Sequence, residues 1–496
     1  MRMVMNVQRE TSDTVSCHCE QPKEARQSRC AFTAGLPRRS ASRNAIREGR
    51  FGTLVRAILA GVAVILFELL AGSHQAWGEF QLLEKIKEAH NRLEGLELDH
   101  QITMVREAIP VVRRSKQRGR TPAVRYRSHR ALIRDVAVVG LNSKTGELKD
   151  FRFQETVLLD HKKYPHANPP QVIAQENNCE LIWRGGSRYG FNRDLLLRCD
   201  GESFVILNLA MWASRTPRTV VADQHSGKRT CRQGPAELVS GSYVPYSPEL
   251  HTQDVAEEGR RYLEEAILQA LEELDELDVK SKTFTDQNLS ELASIDFIHA
   301  LLVDEHLDPE EFKKNTKNGT LSRLIEKYWV EVAINRDSAF RMSVSPAGAT
   351  GISQFICPTY ARILNESPEA KLDPVFVRGM QDHVNAIKAS ITLFDSDMSS
   401  WWTPTARKVC SISTDLLEDC WAASYNGGPN GLNRVIARRG KEWDKKESMI
   451  RNTRRYFAPR LKEETHAYLA KLGGIREYLL ALEKRYPVDN ASESSK

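Results

Sequence analysis

Asp337 is a carboxylate placed where it could exchange protons with a bound molecule. The apolar residues of 321–332 recur at helical spacing, which predicts a helix with one packed face that ends just before Asp337. The segment that follows, 345–355, contains Gly348 and Gly351, and glycine lets a backbone pass close to the contents of a neighbouring groove. A carboxylate in this position could act as a general acid or base.

Four sequence blocks accompany this carboxylate in a definite order along nearly 200 residues. They are D-S-A-F with S-P-A-G-A-T-G-I-S-Q-F-I-C-P (337–358), Asp382–Ala386, Ala422–Pro429 and Glu464–Leu469. The blocks resemble the motifs E-S-x-F with S-P-x-G-A-x-G-L-M-Q-x-M-P, D-P-x-x-N-I, A-A-Y-N-A-G-P and E-T-x-x-Y-V of the soluble lytic transglycosylase, or goose-type lysozyme-like, family.

The resemblance implies a mostly α-helical, lysozyme-like domain with a cleft for peptidoglycan strands. Members of this family cleave the β-1,4 bond between N-acetylmuramic acid and N-acetylglucosamine without adding water. One carboxylic acid protonates the glycosidic oxygen and then, as a carboxylate, removes a proton from the muramoyl 6-hydroxyl, which closes a 1,6-anhydro ring. Most glycosidases need two carboxylates, whereas here the substrate supplies the nucleophile.

The resemblance also implies roles for individual residues of this chain. Asp337 would be the catalytic acid and base, and the Tyr468 hydroxyl would lie near its carboxyl group. The residues expected to bind the glycan are Ser338, Gln354, Tyr425, Asn426 and Tyr468. No cofactor and no metal ion is required by this chemistry.

The sequence departs from the family where the acid is expected. The family has Glu at the position of Asp337, whose side chain is shorter by about 1.5 Å, and a misplacement of about 1 Å can cost on the order of 100-fold in rate. The interval from Asp337 to Ser345 is also one residue shorter than in the family's motif. Ser353 and Cys357 stand where that motif has two methionines. Glu331 is another nearby carboxylate, but it lies about 240° around the helix from Asp337.

Three functions therefore remain open at this point. The first is an active lytic transglycosylase that uses Asp337. The second is an inactive peptidoglycan-binding domain that keeps the cleft, and the third is a lysozyme-type hydrolase.

The charge of the chain argues against a nucleic-acid partner. The net charge is +6, but residues 1–78 hold 11 lysines and arginines against 6 acidic residues, which leaves 60 basic and 59 acidic residues elsewhere. His161, His166 and His225 show no metal-ligand spacing, and no nucleotide-binding motif is present.

The N-terminal region predicts export to the periplasm or secretion. Its basic residues precede a short apolar run, Ala57–Phe67, and small residues follow at Ala76-Trp77-Gly78, as in a signal peptide cleaved before Glu79. The apolar run is too short to span a bilayer comfortably, so no stable membrane span is expected. An uncleaved signal anchor is the alternative.

The whole sequence predicts an α+β multidomain protein, with a C-terminal, mostly α-helical lysozyme-like domain preceded by a small β-rich domain. Short β-favouring runs such as Val136–Val139 and Phe204–Leu207 predict the sheet. The predicted parts are 1–78, a basic leader and export signal; 79–125, a helical segment and loop; 126–233, the β-rich domain, of unknown role; 234–285, a linker and an amphipathic helix; 286–482, the lytic transglycosylase domain; and 483–496, a disordered tail.

Six cysteines follow the predicted leader, an even number that is compatible with disulfides in an exported protein. The pairs with short loops, Cys179–Cys199 and Cys410–Cys420, are the expected bridges. Free buried thiols are the alternative.

Overall fold

The computed structural model describes residues 82–110, 124–159, 169–187, 190–345, 347–411, 413–444 and 461–485. The predicted leader, the predicted loop at Arg113–Arg120, His161 and His166, and residues 486–496 of the predicted tail lie outside these ranges. The described part contains an antiparallel sheet and many helices, so the α+β class is confirmed.

The strands and the first helix occupy the N-terminal half of the described chain. They are α1 (Leu82–Leu93), β1 (His100–Pro110), β2 (Val124–Asn142), β3 (Leu148–Leu158), β4 (Gln171–Glu176), β5 (Cys179–Gly186), β6 (Arg193–Cys199), β7 (Glu202–Arg215), β8 (Arg218–Ala222), β9 (Arg229–Gln233) and β10 (Glu237–Tyr243).

Eight strands form one sheet in the order β1-β2-β7-β6-β5-β4, with β3 paired to β2 and β10 paired to β7. All these pairings are antiparallel. Strands β8 and β9 form a separate hairpin. The long strands β2 and β7 therefore organise the sheet, because each pairs with three neighbours.

The remaining helices follow the sheet in the chain. They are α2 (Gln253–Glu276), α3 (Ile295–Asp304), α4 (Pro309–Asn318), α5 (Leu321–Asn335), α6 (Cys357–Glu366), α7 (Phe376–Gln381), α8 (His383–Trp401), α9 (Pro404–Cys410), α10 (Thr414–Gly427), α11 (Pro429–Arg439) and α12 (Glu463–Arg485).

The two faces of the sheet belong to two hydrophobic cores. Val139 and Leu141 of β2 pack into the large core that the helices share. Val136 and Val138 point to the other face and pack with Phe153 into a smaller core between the strands. Successive side chains of a strand point to opposite faces, so the same strand serves both cores.

The β8–β9 hairpin is fastened to helix α6. Cys231 of β9 is bonded to Cys357, the first residue of α6. Asn365, near the end of α6, accepts a hydrogen bond from the backbone N–H of Arg229 at 2.9 Å and donates one to its carbonyl at 2.9 Å. The two predicted short-loop disulfides, Cys179–Cys199 and Cys410–Cys420, are also present.

Two local predictions from the sequence are wrong. The sequence predicts a helical segment and a loop over 79–125, but α1 ends at Leu93 and strand β1 follows it at His100–Pro110. The sequence predicts that 234–285 begins with a linker, but this part contains β10, whose residues pair with β7. Pairing with a distant strand selected the structure of β10 despite its Gly, Pro and Ser content, because β propensity depends on context.

Candidate active site

Helix α3 is a deeply buried helix that leads to the candidate site. Every residue from Phe297 to Asp304 is buried, as expected for a helix that is apolar all round. The Ser294 hydroxyl caps its N-terminus by accepting a hydrogen bond from the N–H of Phe297, an arrangement that favours helix initiation. The helix ends at Glu305, so this carboxylate stands at the boundary of the core.

Lys471 of helix α12 holds the turn that carries Glu305. Its ammonium group donates hydrogen bonds to the carbonyls of Asp304 at 2.6 Å and Leu307 at 2.9 Å, and it lies 3.1 Å from the Asp304 carboxylate. The carbonyls at the end of a helix lack partners within the helix. The buried cation therefore satisfies them and fixes the backbone on both sides of Glu305.

The Glu305 carboxyl group has a specific partner on the same helix α12. The Tyr468 hydroxyl donates a hydrogen bond to Glu305 Oε1 at 2.7 Å. Burial raises the pKa of Glu305 to about 7, and the Tyr468 hydrogen bond and the Lys471 charge oppose part of this rise. Since Glu305 is only partly buried, it is a carboxyl group that can hold a proton near neutral pH and still meet a ligand.

The glycine-containing segment is attached beside Glu305 by two side chains. The Nε2–H of His306 donates to the carbonyl of Ile352 at 2.9 Å, and the Tyr425 hydroxyl donates to the carbonyl of Ser353 at 2.6 Å. Burial lowers the pKa of His306 to about 4, so this imidazole is neutral near pH 7. Two successive carbonyls of the segment are thereby held in place.

Gly351 makes a close backbone approach, but not to a groove. A Cβ atom at this position would lie 2.1 Å from the Met380 carbonyl oxygen, and the φ angle of Gly351 is +77°. Both features exclude a side chain here. Gly351, which the sequence suggested as a point of close approach to a ligand, instead allows its segment to pack against the end of α7.

Three non-glycine residues near the site have positive φ angles. The angles are 45° at Arg336, 55° at Phe340 and 47° at Gln354. Such conformations cost of order 1–3 kcal/mol and collect at functional sites. At Phe340 the ring stacks on His306 with 3.8 Å between ring centroids, so the unusual backbone places an aromatic ring next to the residue that follows Glu305.

Gln354 and Asn426 differ in what the structure shows of their side chains. The Gln354 side-chain amide donates to the Gly351 carbonyl at 2.7 Å, within its own segment. The Asn426 side-chain oxygen is buried and has no hydrogen-bond partner among the described residues, which is uncommon in folded proteins. The expected roles of both residues in binding a glycan remain predictions.

Asp337 lies in different surroundings, after helix α5. Its side chain is exposed, and its Oδ1 accepts a hydrogen bond from the Tyr262 hydroxyl at 2.7 Å. The Tyr262 oxygen is also 3.1 Å from His383 Nδ1. These groups line a pocket of about 420 Å³ together with Arg336. Charged side chains, among them Arg341 and Arg378, line the same pocket, so the surroundings of Asp337 are not apolar.

The candidate site residues are therefore only partly brought together. Tyr468 contacts Glu305, and Tyr425 holds the segment that Gln354 belongs to. Ser338 lines a separate groove with His306, whereas its neighbour Asp337 faces the pocket at Tyr262. The role of Asp337 as the acid remains a prediction.

Sequence reasoning missed Glu305, His306 and Lys471. One signal for Glu305 was present: the apolar run Phe297–Val303 ends in two successive acidic residues, and Asp308 and Pro309 then begin the next helix. A carboxylate that directly follows a mostly apolar, buried helix lies at the edge of the core. No local signal identifies Lys471, because its partners are distant in the sequence.

Two further observations apply to the described residues alone. They contain no group of three or more His, Cys, Asp or Glu side chains that could hold a metal ion. Among the same residues, none of the helices has the length and apolar character needed to cross a membrane.

The chain matches no protein-family model and has no significant match among curated proteins or solved structures.

Proposed function

We propose that this chain is a peptidoglycan lytic transglycosylase whose single general acid and base is Glu305. The observation that carries the proposal is the 2.7 Å hydrogen bond from Tyr468 to Glu305. Tyr468 is the tyrosine of the E-T-x-x-Y block, for which the family resemblance implies a place beside the catalytic carboxyl. The sequence analysis expected Asp337 in that place, and the proposal moves the role to Glu305.

The geometry suits a carboxyl group that acts first as an acid and then as a base. Because Tyr468 occupies Oε1, the proton of a neutral Glu305 belongs on Oε2. Transfer of that proton to the glycosidic oxygen releases the leaving sugar as an alcohol while the bond to C1 of the muramoyl residue breaks. The Glu305 carboxylate then removes the proton of the muramoyl 6-hydroxyl, whose oxygen bonds to C1. No water is consumed, and the acid is regenerated.

The surroundings of Glu305 support both steps. Burial keeps a fraction of the carboxyl group neutral near pH 7, as the first step requires. The Tyr468 hydroxyl donates to the group and so stabilises the carboxylate that is present between the steps. Lys471 holds the backbone of the turn, which keeps the acid in position during both transfers.

The finer fold and the location of the protein are part of the same proposal. Helices α3 to α12 would form a lysozyme-like domain, with α3 and α12 contributing the acid and its tyrosine, behind a β-rich domain. We propose that the protein is exported. Support comes from the basic and apolar N-terminal pattern and from three disulfides, which persist in oxidising compartments.

The decisive experiment compares the products of three proteins on purified peptidoglycan. Wild type should release 1,6-anhydromuropeptides, detected by mass spectrometry. Glu305→Gln, which keeps the shape and the Tyr468 hydrogen bond, should lower their formation by about 1,000-fold or more, since general acid–base transfer is worth up to about 10⁴-fold at each step. Asp337→Asn should stay within about threefold of wild type.

The other outcomes reject the proposal in different ways. Loss of products in Asp337→Asn with normal rates in Glu305→Gln would return the acid to Asp337. Reducing ends in place of anhydro ends would indicate a lysozyme-type hydrolase. Binding of peptidoglycan without products from any of the three proteins would indicate an inactive binding domain.

Export has its own test. Protein recovered from the periplasm or the medium should begin at Glu79 when its N-terminus is sequenced. A protein that stays inside the cell with residues 1–78 attached would contradict this part of the proposal while leaving the chemistry open.

A further inference from the structure

A large groove of about 930 Å³ lies between helices α2, α3, α5 and α12. We call it the acidic groove. Helix α3 contributes Ile295, Asp296 and His299 to it, from the first half of the helix, whereas Glu305 follows the same helix at its other end. From Asp296 to Glu305 the chain rises about 14 Å along the helix axis. The acidic groove is therefore separate from the candidate acid, and neither the family resemblance nor the proposed reaction gives it a role.

Apolar side chains line part of the acidic groove. Trp329 of α5 and Leu479 of α12 are buried there, whereas Leu268 of α2 is 50% exposed and Ile295 is 36% exposed. Large apolar side chains that stay open to water beside a cavity indicate a surface for an apolar partner. The groove can therefore take up apolar side chains of a ligand.

A buried imidazole presents an unused hydrogen-bond donor to the groove. His299 is 2% exposed, and burial lowers its pKa to about 3, so the ring is neutral near pH 7. Its Nε2 accepts a hydrogen bond from the Trp329 indole N–H at 2.9 Å, which leaves the single ring proton on Nδ1. Within the described residues this Nδ1–H has no hydrogen-bond acceptor, and the Glu264 carboxylate is 3.8 Å away. Buried donors are rarely left without a partner, which indicates that a ligand supplies the acceptor.

The acidic groove carries more negative than positive charge. Its acidic side chains, set against two arginines, are Glu257, Glu264, Asp296, Glu326 and Glu483. Asp296 of α3 lies next to Glu483 of α12, and burial together with this neighbouring carboxylate raises the pKa of Glu483. In the part of the chain that the structure describes, no lysine or arginine forms an ion pair with either of the two. The groove therefore attracts a cationic ligand.

The donor, the apolar wall and the carboxylates together fit one class of ligand. A peptide offers backbone carbonyls to the His299 donor, apolar side chains to the exposed leucine and isoleucine, and lysine or arginine side chains to the carboxylates. The same carboxylates repel nucleic acid and anionic lipid. We propose that the acidic groove binds a segment of a partner protein in which lysine or arginine residues flank apolar ones.

The test measures the binding of three labelled peptides, each of about 14 residues, to the whole chain by fluorescence anisotropy. The first peptide repeats leucine and lysine at helical spacing. The second has glutamate in place of lysine, and the third has serine in place of leucine. The leucine–lysine peptide should bind on the order of 10-fold more tightly than either of the others, because it alone matches both the carboxylates and the apolar wall.

Removal of the two neighbouring carboxylates tests the role of charge. Asp296→Asn/Glu483→Gln should weaken binding of the leucine–lysine peptide by about tenfold, because it removes two negative charges at the groove. The matched control, Asp286→Asn/Glu369→Gln, removes two exposed carboxylates that do not line the groove. Its affinity for the peptide should stay within about twofold of wild type, since distant exposed charges are screened. The comparison separates the charge of the groove from the net charge of the chain.

Removal of an exposed leucine tests the apolar wall. Leu268→Ser should weaken binding of the leucine–lysine peptide by about fivefold, because the peptide then buries less apolar surface. Leu480 of α12 is 45% exposed and does not line the groove, so Leu480→Ser is the matched control and should keep the affinity within about twofold. Thermal melting of every variant shows whether it is folded.

Other results would contradict the proposal. Equal affinity for all three peptides, or an equal loss in both double variants, would exclude recognition by the groove. Binding that appears only after residues 1–78 are removed would assign the groove to the basic leader of this chain. A dimer that Leu268→Ser dissociates would assign it to a second copy. None of these results depends on which carboxylate forms the anhydro products, so the proposed function is tested separately.

Discussion

Helices α3 and α5 are each followed by a carboxylate that accepts a hydrogen bond from a tyrosine hydroxyl at 2.7 Å, but the surroundings of the two carboxylates differ. The end of α3, before Glu305, is buried and held by Lys471. The end of α5, before Asp337, is exposed and carries an ion pair between Arg336 and Glu258. The difference shows that burial at a helix end can raise the pKa of a carboxyl group that lies outside the recognised motifs, as it does for Glu305.

The largest expected difference between the two helix ends concerns stability. Lys471→Met should lower the free energy of unfolding by about 3–5 kcal/mol, because it removes the donor of two buried carbonyls, those of Asp304 and Leu307, and the cation beside the Asp304 carboxyl group, whose pKa burial raises. Thermal or chemical denaturation measures the loss. Adding Asp304→Asn to Lys471→Met should recover part of it.

Arg336→Met is the matched control at the end of α5. In its pair with Glu258, at 2.7 Å, the Arg336 side chain is 49% exposed, and Glu258 keeps a second partner in Arg261, so the change should cost about 1 kcal/mol or less. Equal losses for Lys471→Met and Arg336→Met would contradict the contrast between a buried and an exposed helix end.

The second difference is between the two tyrosines. Tyr468→Phe should lower the rate of anhydromuropeptide formation by about 10- to 100-fold, since a hydrogen bond to a charged group contributes about 1.5–3 kcal/mol. It should also move the alkaline limb of the pH profile to higher pH. In the wild type the Tyr468 hydrogen bond lowers the pKa of Glu305, so loss of this hydrogen bond raises that pKa. Kinetics across pH measure both effects.

Tyr262→Phe is the control for that change. It removes the hydrogen bond to Asp337, and both the rate and the alkaline limb should stay within about twofold of wild type. A shift of the limb in Tyr262→Phe, with none in Tyr468→Phe, would exchange the roles of the two carboxylates.

The third prediction concerns the wild-type pH profile. Glu305 must be neutral to protonate the leaving oxygen, and its pKa is raised to about 7. Above that pH the neutral fraction, and with it the rate of anhydromuropeptide formation, should fall about tenfold per pH unit. An alkaline limb near pH 4 would exclude Glu305 as the proton donor.

The smallest expected effect is at Asp337 itself. Asp337→Ala removes one exposed hydrogen bond to Tyr262, so unfolding should become easier by at most about 1 kcal/mol. Differential scanning calorimetry against wild type checks the value. A loss of several kcal/mol would mean that the Tyr262–Asp337 contact is a structural support of the helical region.

The sequence predicted some features well because they are local. The strand runs at Val136–Val139 and Phe204–Leu207 lie within β2 and β7, where short continuous runs of apolar and β-branched residues indicate buried strands. The two short-loop disulfides also follow from sequence distance. The helix before Asp337 was predicted from spacing and is α5.

Other features depend on contacts that spacing does not contain. Cys231–Cys357 joins residues 126 positions apart, and β10 exists because β7 pairs with it. The contact of Tyr468 with Glu305 likewise requires α12 to pack against α3, so a motif centred on Asp337 could not reveal it. The sequence blocks, which begin at Asp337, therefore give no sign of this contact.

The pairing of Glu305 with Tyr468 also sets an order of events during synthesis. The two residues are 163 positions apart, and Lys471, which holds the same turn, follows Tyr468. A growing chain therefore carries its carboxylate long before the helix that completes the site has been made. The contacts of Glu305 therefore wait for docking of α12, and a chain cut short before that helix would carry Glu305 without the tyrosine that binds its carboxyl group and without the lysine that holds its turn.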